Sequence, residues 1–316
     1  IYGARAAIIG GCSSTACTIA EQLFNVPAVG TMAHSWIQLF GNEYEAFKAW
    51  AKAYPNNCTF LVDTYNVLKS GVPNAIKVFD EVLKPQGIRP AAIRIDSGDI
   101  TYLSKKCRKL LDEAGYSDCK ILVSNSLDEY IIRDVLNQGA EIDSFGVGER
   151  LITAKSEPVF GGVYKLVAVE DNSGDIIPRI KISENEEKIT NPGFKKVYRL
   201  FDKDSHAALV DLIALSDEEI NLNEDLEVFD PIHVWKRKTI KNYYARELLI
   251  QVFDKGNLVY NSPSVMDIRK FALEESTKLW SETLRFENPH TYYVDLSDGL
   301  WNLKHNLLHR YSNIYK

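Results

Sequence analysis

The sequence predicts an α/β protein built on parallel strands, and three observations predict it. Short β-branched runs alternate with longer amphipathic stretches from Pro27 to about Gly148. The runs recur at about 25 to 30 residues, the length of one βα unit. Each amphipathic stretch closes on a glycine, the residue that best tolerates the left-handed turn ending a helix.

Taken in order, the runs are PAVGT (27–31), TFLVDT (59–64), AAIRID (91–96), KILVSN (120–125) and SFGVG (144–148). Each reads as a parallel strand. Between them, VPNAIKVFDEVLKPQG puts Ile76, Phe79, Val82 and Leu83 on one face, has Pro73 in its first turn and stops at Gly87. ITYLSKKCRKLLDEAG ends at Gly115. SLDEYIIRDVLNQG ends at Gly139, with Ser126 and Glu129 spaced as a capping box. After about Tyr164 the pattern changes: YKLVAVED, KKVYRLFD and HAALVDLIAL predict antiparallel strands joined by turns at 171–175 and 191–193. Asp254 to Asn257 reads as a hairpin turn. A long helix is expected over Ser264–Arg285, with Ser264 and Asp267 as its capping pair.

Composition bounds what such a scaffold does. The chain has 316 residues, 45% hydrophobic and 25% charged, with a net charge of −6, so it has enough apolar residues for a core and no basic excess for nucleic acid. No apolar run is long enough to span a membrane. The five cysteines, Cys12, Cys17, Cys58, Cys107 and Cys119, lack the spacing of a disulfide framework or zinc site, which points to a reducing, cytoplasmic setting. IYGARAAIIGG opens with neither Met nor a signal-peptide layout, so the chain reads as one entered partway through a larger protein.

Parallel βα architectures bind ligands beyond the carboxyl ends of their strands, where loops and helix amino-termini converge. Here those ends read GTMAHSW, VDTYN, RIDSGD, VSNS and GVGER. Arg94 inside an apolar strand needs an anion, and its planar guanidinium suits a carboxylate or phosphate. Two carboxylates, Asp96 and Asp99, flank a Ser97-Gly98 turn, a pattern that beside an anion site implies Mg²⁺. The alternative is structural: Arg94 paired with Asp96 or Asp63 above an Asx-type turn. His34 follows a strand end, as a general base, a phosphoryl acceptor or a turn cap. Asp63 reads equally as a site residue or a helix amino-cap. Gly146 to Arg150, with Gly148 and Glu149, and Gly161-Gly162 before Lys165 form two glycine-containing loops suited to phosphate or simply to tight turns.

Together and in this order, GTMAHSW, LVDTYN, IRIDSGD, FGVGERLITA and GGVYKLV closely resemble nicotinate phosphoribosyltransferase, and NPHTYYVDLSDGLWNLK resembles the tail of its bacterial members. The resemblance runs over essentially the whole chain. It implies an irregular parallel α/β barrel of the type II phosphoribosyltransferase kind, with residues 1–168 as the barrel core carrying the active site. Residues 169–316 would then supply the remaining strands and a mixed α/β carboxy-terminal section that pairs with an amino-terminal sandwich.

The implied reaction joins nicotinate to phosphoribosyl pyrophosphate, giving nicotinate mononucleotide and pyrophosphate, coupled to ATP hydrolysis and therefore classed with the ligases of NAD biosynthesis. His34 matches the histidine that ATP phosphorylates. Thr31 and Arg94 match positions holding nicotinate, and Tyr2 and Arg5 of YGARAA take places that contact the pyridine ring. Ala6 stands where the family usually has a second arginine. Asp96 and Asp99 match residues handling ribose and the metal-bound pyrophosphate. Asp63, Ser97, Asn125, Gly146, Gly148, Glu149, Gly161 and Gly162 fall at substrate-contacting loops, with Glu149 where many members carry threonine. The family also has a segment before YGARAA that completes the site of a second subunit, so a homodimer is expected and the 316-residue chain alone is expected to be weak or inactive. The competing readings are a nicotinamide or quinolinate phosphoribosyltransferase and a catalytically silent pyridine-nucleotide sensor.

Overall fold

The structure is a computed structural model describing residues 1–185, 188–221 and 223–314. It falls into two compact units, Ile1–Phe160 and Gly161–Lys316.

The first unit opens with α1 (Tyr2–Ile9) and α2 (Thr18–Phe24). Of the PAVGT run, expected as a strand, only an isolated parallel bridge forms, between Thr15 and Ala28. Pro27 has no N–H to give a ladder, and only its carbonyl and the Val29 amide pair with Thr15. Then come α3 (His34–Phe40) and α4 (Glu43–Ala53), the latter capped by Asn42, whose side chain accepts from the Glu45 amide.

β1 (Thr59–Leu61), β2 (Ala92–Ile95), β3 (Lys120–Ser124) and β4 (Ser144–Gly146) follow, in spatial order 1-2-3-4 and all parallel. Their connections are helical. Between β1 and β2 the chain is helical over 67–86, with α5 (Val72–Val78) bracketed by wider i→i+5 turns at Val67–Gly71 and Phe79–Leu83. α6 (Ile100–Glu113) joins β2 to β3, α7 (Glu129–Asn137) joins β3 to β4, and α8 (Glu149–Ile152) follows β4. Gly87, Gly115 and Gly139 all have positive φ past their helices, as the sequence pattern requires. The core beneath is aromatic and aliphatic: Phe60 stacks between Phe47 and Phe79, with ring centroids 4.5 and 5.2 Å away.

Two local expectations are corrected. α7 is capped by Asp128, which accepts from the Ile131 amide at 2.9 Å, and not by a Ser126–Glu129 box. Asn125 and Ser126 both have left-handed backbones, φ 90° and 51°, so the helix starts later. The long late helix stops at Ser276 rather than Arg285: Ser264 does cap α9 (Val265–Ser276), but Ser276 and Thr277 hydroxyls bond carbonyls one turn back, and the Ala208 amide takes the Lys278 carbonyl.

The second unit holds antiparallel strands as expected, but the turn at 191–193 joins no hydrogen-bonded strand pair among the described residues, since the strands on its two sides lie in different sheets. β5 (Ala168–Glu170) pairs β6 (Ile176–Pro178) around the turn at 171–175. β7 (Lys195–Asp202) and β8 (Ala208–Leu215) are antiparallel, and β9 (Leu226–Phe229) pairs β10 (Arg237–Ile240). β11 (Tyr243–Glu247) adds to β7. β12 (Phe253–Asp254) and β13 (Asn257–Leu258) form the hairpin read at Asp254–Asn257. β14 (Val294–Leu296) lies parallel to β8, and α10 (Asp298–Ile314) closes the chain. Arg199 and Arg246 face each other across β7 and β11, a like-charge pair neutralised by Asp211 and by Glu275 from α9. Hydrogen bonds from Arg246 and Lys278 pull the Glu275 carboxyl down to about 2. Among the described residues no helix is long and apolar enough to cross a membrane.

Candidate active site

The carboxyl ends of β1, β2 and β3, with the amino-terminus of α3, bring eight expected or adjacent residues into one polar cluster. On a strand, residues two apart share a face. Arg94 and Asp96 therefore emerge together, with Arg94 Nη2 3.1 Å from Asp96 Oδ1. The pairing expected under the structural alternative is thus present. It is only one of three contacts: Arg94 Nε donates to Ser124 Oγ on the neighbouring strand at 2.8 Å, and Nη1 donates to Thr31 Oγ1 at 2.9 Å. Ser124 in turn donates to Asp96 Oδ1.

A guanidinium carries five N–H groups. Three are engaged here, leaving one on each terminal nitrogen to meet a ligand. The site is a fixed cation with capacity to spare.

His34, the first residue of α3, faces the same cluster. Its Nδ1 is 3.0 Å from Thr64 Oγ1, while Nε2 lies 3.7 Å from Asp96 Oδ2 and 3.9 Å from Asp63 Oδ1. Asp63 is not a helix cap. Its Oδ2 accepts from the Asp96 amide at 3.0 Å and from Ser97 Oγ at 2.6 Å, and the cap of the following helical stretch is Asn66, which accepts from the Lys69 amide. The side chain of Asp63 is only 1% exposed, and its Oδ1 is buried with no hydrogen-bond partner among the described residues. A buried carboxylate oxygen without a hydrogen-bond partner among the described residues, 3.9 Å from an imidazole nitrogen, has the chemistry of a hard-cation ligand.

Asp99 stands at the amino-terminus of α6, beyond the end of β2. Its Oδ1 accepts from the Tyr102 amide at 2.9 Å and caps α6, so the carboxylate sharing the imidazole with Asp96 is Asp63. Beside Arg94 a cavity of about 350 Å³ opens, within the usual range of small-molecule sites. Asn125, Ser126, Gly146, Gly148 and Glu149 line it. Arg150 also lines it and bonds Asp128, whose carboxyl is held below the usual range first by the Ile131 amide and then by Arg150.

Tyr2 and Arg5 lie on α1 against Phe24, with the Tyr2 ring centroid 5.8 Å and Arg5 Cζ 5.9 Å from the Phe24 ring, and neither bonds the Arg94 cluster. Gly161 and Gly162 open the second unit. Sequence reasoning had not singled out Thr64 or Ser124 as site residues. Both sit at strand ends already read as polar, but their partners lie 30 residues away, at His34 and Arg94, where no local pattern points.

The chain is 46% identical to nicotinate phosphoribosyltransferase of Bacillus subtilis over 98% of its length and 62% of the relative's. It is similar to the nicotinate phosphoribosyltransferases along nearly its whole length. A profile of the nicotinate phosphoribosyltransferase C-terminal domain matches residues 194–304, in the second unit. The enzyme of that name from Dictyostelium discoideum is 33% identical over 96% of this chain. The crystal structure of human nicotinic acid phosphoribosyltransferase superposes with a TM-score of 0.74 and 25% identity, covering 96% of this chain and 66% of that one. The mixed α/β fold with its parallel sheet is therefore that of the type II phosphoribosyltransferases. The chain spans 62% and 59% of the two curated relatives' own lengths.

Proposed function

We propose that the first unit carries the reacting mouth of a nicotinate phosphoribosyltransferase that forms nicotinate mononucleotide and pyrophosphate from nicotinate and phosphoribosyl pyrophosphate. One observation supports this above the others: a guanidinium fixed on three sides, with free N–H groups, shares Asp96 with the His34 imidazole at the edge of one cavity.

Arg94 takes the pyridine carboxylate, because its open N–H pair offers two parallel donors. The ring nitrogen is its own nucleophile, so the protein's task is to aim it at C1 of the sugar. As the C1–O bond breaks, positive charge develops on the ribose and negative charge on the leaving pyrophosphate. Asp96 and Asp63 face the first. The backbone of the Gly146–Arg150 loop faces the phosphate end, with Asn125 and Ser126 beside it, and Glu149 stays at the rim. Tyr2 and Arg5 approach the ring in the family's manner.

The donor set fits Mg²⁺ as a companion of the pyrophosphate. Asp96 and Asp63 offer oxygen ligands, one of them buried and unpaired, and Asp99 has Oδ2 left for a metal-bound water. Among the described residues no group of three or more His, Cys, Asp or Glu side chains is arranged to hold a metal alone. The ion would complete its shell with phosphate oxygens and water, and would supply charge neutralisation of the leaving group.

His34 is the residue through which ATP enters. Thr64 holds one ring nitrogen and the carboxylates face the other, so the ring is kept in one orientation at the mouth, and an imidazole can take a phosphoryl group as a covalent intermediate. In this reading the full-length protein is a cytoplasmic homodimer of NAD biosynthesis. Turnover assays on the full-length protein with phosphoribosyl pyrophosphate, Mg²⁺ and ATP decide it. Nicotinate mononucleotide from nicotinate, with far less product from nicotinamide or quinolinate, is expected, and no product from nicotinate refutes the proposal.

A further inference from the structure

The His34 imidazole is held by Thr64, Asp63 and Asp96, so its orientation depends on how α3 sits against the Val62–Thr64 segment. Two sets of contacts fix that relation. On one side, α3 and α4 are locked as a pair by Trp36, whose Nε1 donates to the Ala46 carbonyl at 3.1 Å and whose ring meets Trp50 edge-on at 5.5 Å. On the other, the wide turn Val67–Gly71 abuts the end of β1 so closely that a Cβ on Gly71 would stand 1.9 Å from the Val62 carbonyl oxygen.

One side chain bridges the two sets. Glu43, at the first position of α4, is 1% exposed and accepts from Ser70 Oγ in the wide turn and from Asn74 Nδ2 in α5 at 3.3 Å. Its second oxygen, Oε1, is buried with no hydrogen-bond partner among the described residues. A half-satisfied carboxylate in the interior is costly to the fold, and a bond network that ends on the two walls of the His34 pocket gives it a role outside packing.

We propose that Glu43 is a positioning residue for His34: it ties the α3–α4 pair to the Ser70–Asn74 turn and so sets Thr64 and Asp63 against the imidazole. The inference rests on the reading of His34 as a reacting group, but its test does not need turnover. In the wild type, Thr64 at Nδ1 and two carboxylates at Nε2 favour one ring arrangement. ¹⁵N NMR of the His34 ring, which distinguishes tautomers, reads that arrangement directly.

Glu43→Ala is expected to mix the two tautomers and, in the full-length enzyme, to lower kcat about tenfold with the nicotinate KM within about twofold. Glu43→Gln keeps an acceptor for Ser70 and should restore both. Ser70→Ala, which leaves Glu43 in place and deletes a single hydroxyl, should reproduce the change if Glu43→Ala does not fold. Thr64→Val combined with Glu43→Ala, or with Ser70→Ala in its stead, should lose less than the sum of the single losses, because both act on the hold on one imidazole. An unshifted ¹⁵N pattern in folded Glu43→Ala or Ser70→Ala, or strictly additive losses in the double variant, overturns the inference. A shifted pattern in a protein that makes no product would instead leave the positioning role standing and overturn the proposed reaction.

Discussion

Asp96 joins two partners that come from different elements: its Oδ1 is 3.1 Å from Arg94 Nη2, and its Oδ2 is 3.7 Å from His34 Nε2. One carboxylate therefore couples the cation of β2 to the imidazole of α3. That coupling makes the charge on Asp96, rather than its shape, the quantity to test. Asp96→Asn keeps an oxygen to accept from Arg94 and Ser124 while deleting the charge. Turnover is expected to fall by about a hundredfold or more, with the melting temperature within a few degrees of wild type. A matching collapse of melting temperature would make Asp96 a structural ion-pair partner only.

Arg94→Lys tests the anion site. A lysine ammonium is a point charge and cannot keep Ser124, Thr31 and Asp96 engaged while presenting two parallel donors. The nicotinate KM should rise by about tenfold or more, by steady-state kinetics. An unchanged KM would remove Arg94 from the carboxylate site.

Gly71→Ala probes the wall behind the site. The new methyl would overlap the Val62 carbonyl, whose strand neighbours are fully buried and cannot retreat. A loss of about 3 kcal/mol is expected from denaturant unfolding. A variant as stable as wild type would show that the wide helical turn shifts freely.

The second unit has its own pH signature. Burial, and then the nearby Asp230, push the Asp295 carboxyl up to about 6 from an ordinary 3.8. A folded value above the unfolded one means this residue's contribution is fully present below about pH 4 and is lost as pH rises through 6. Asp295→Asn, neutral throughout, should therefore be more stable than wild type above pH 7, by an amount on the order of 2–3 kcal/mol and with a higher melting temperature, and the advantage should vanish near pH 4. Equal melting temperatures at pH 8 would contradict the assignment.

What the sequence made legible was whatever is set by near neighbours. β1, β2 and β3 lie where the apolar runs stand, because strands buried in a parallel sheet read as continuous hydrophobic stretches. Arg94 and Asp96 were readable as a pair because they are two apart on one strand. PAVGT was over-read because the alternation of apolar residues carries no information on whether a neighbouring strand exists to pair with it. The α7 cap was misplaced because Ser126 fits a capping box by spacing, while its left-handed backbone is imposed by the loop at the end of β3. Thr64 and Ser124, which hold His34 and Arg94, were invisible as partners since only tertiary packing brings them there.

In the proposed reaction a phosphoryl group passes through the His34 imidazole at the mouth it shares with Arg94 and Asp96. The direct measurement is incubation of the full-length protein with γ-³²P-labelled ATP, in wild type and His34→Ala. The account predicts an acid-labile, alkali-stable protein label in wild type that disappears in His34→Ala. Absence of label in an active wild type, or label persisting without His34, would contradict it.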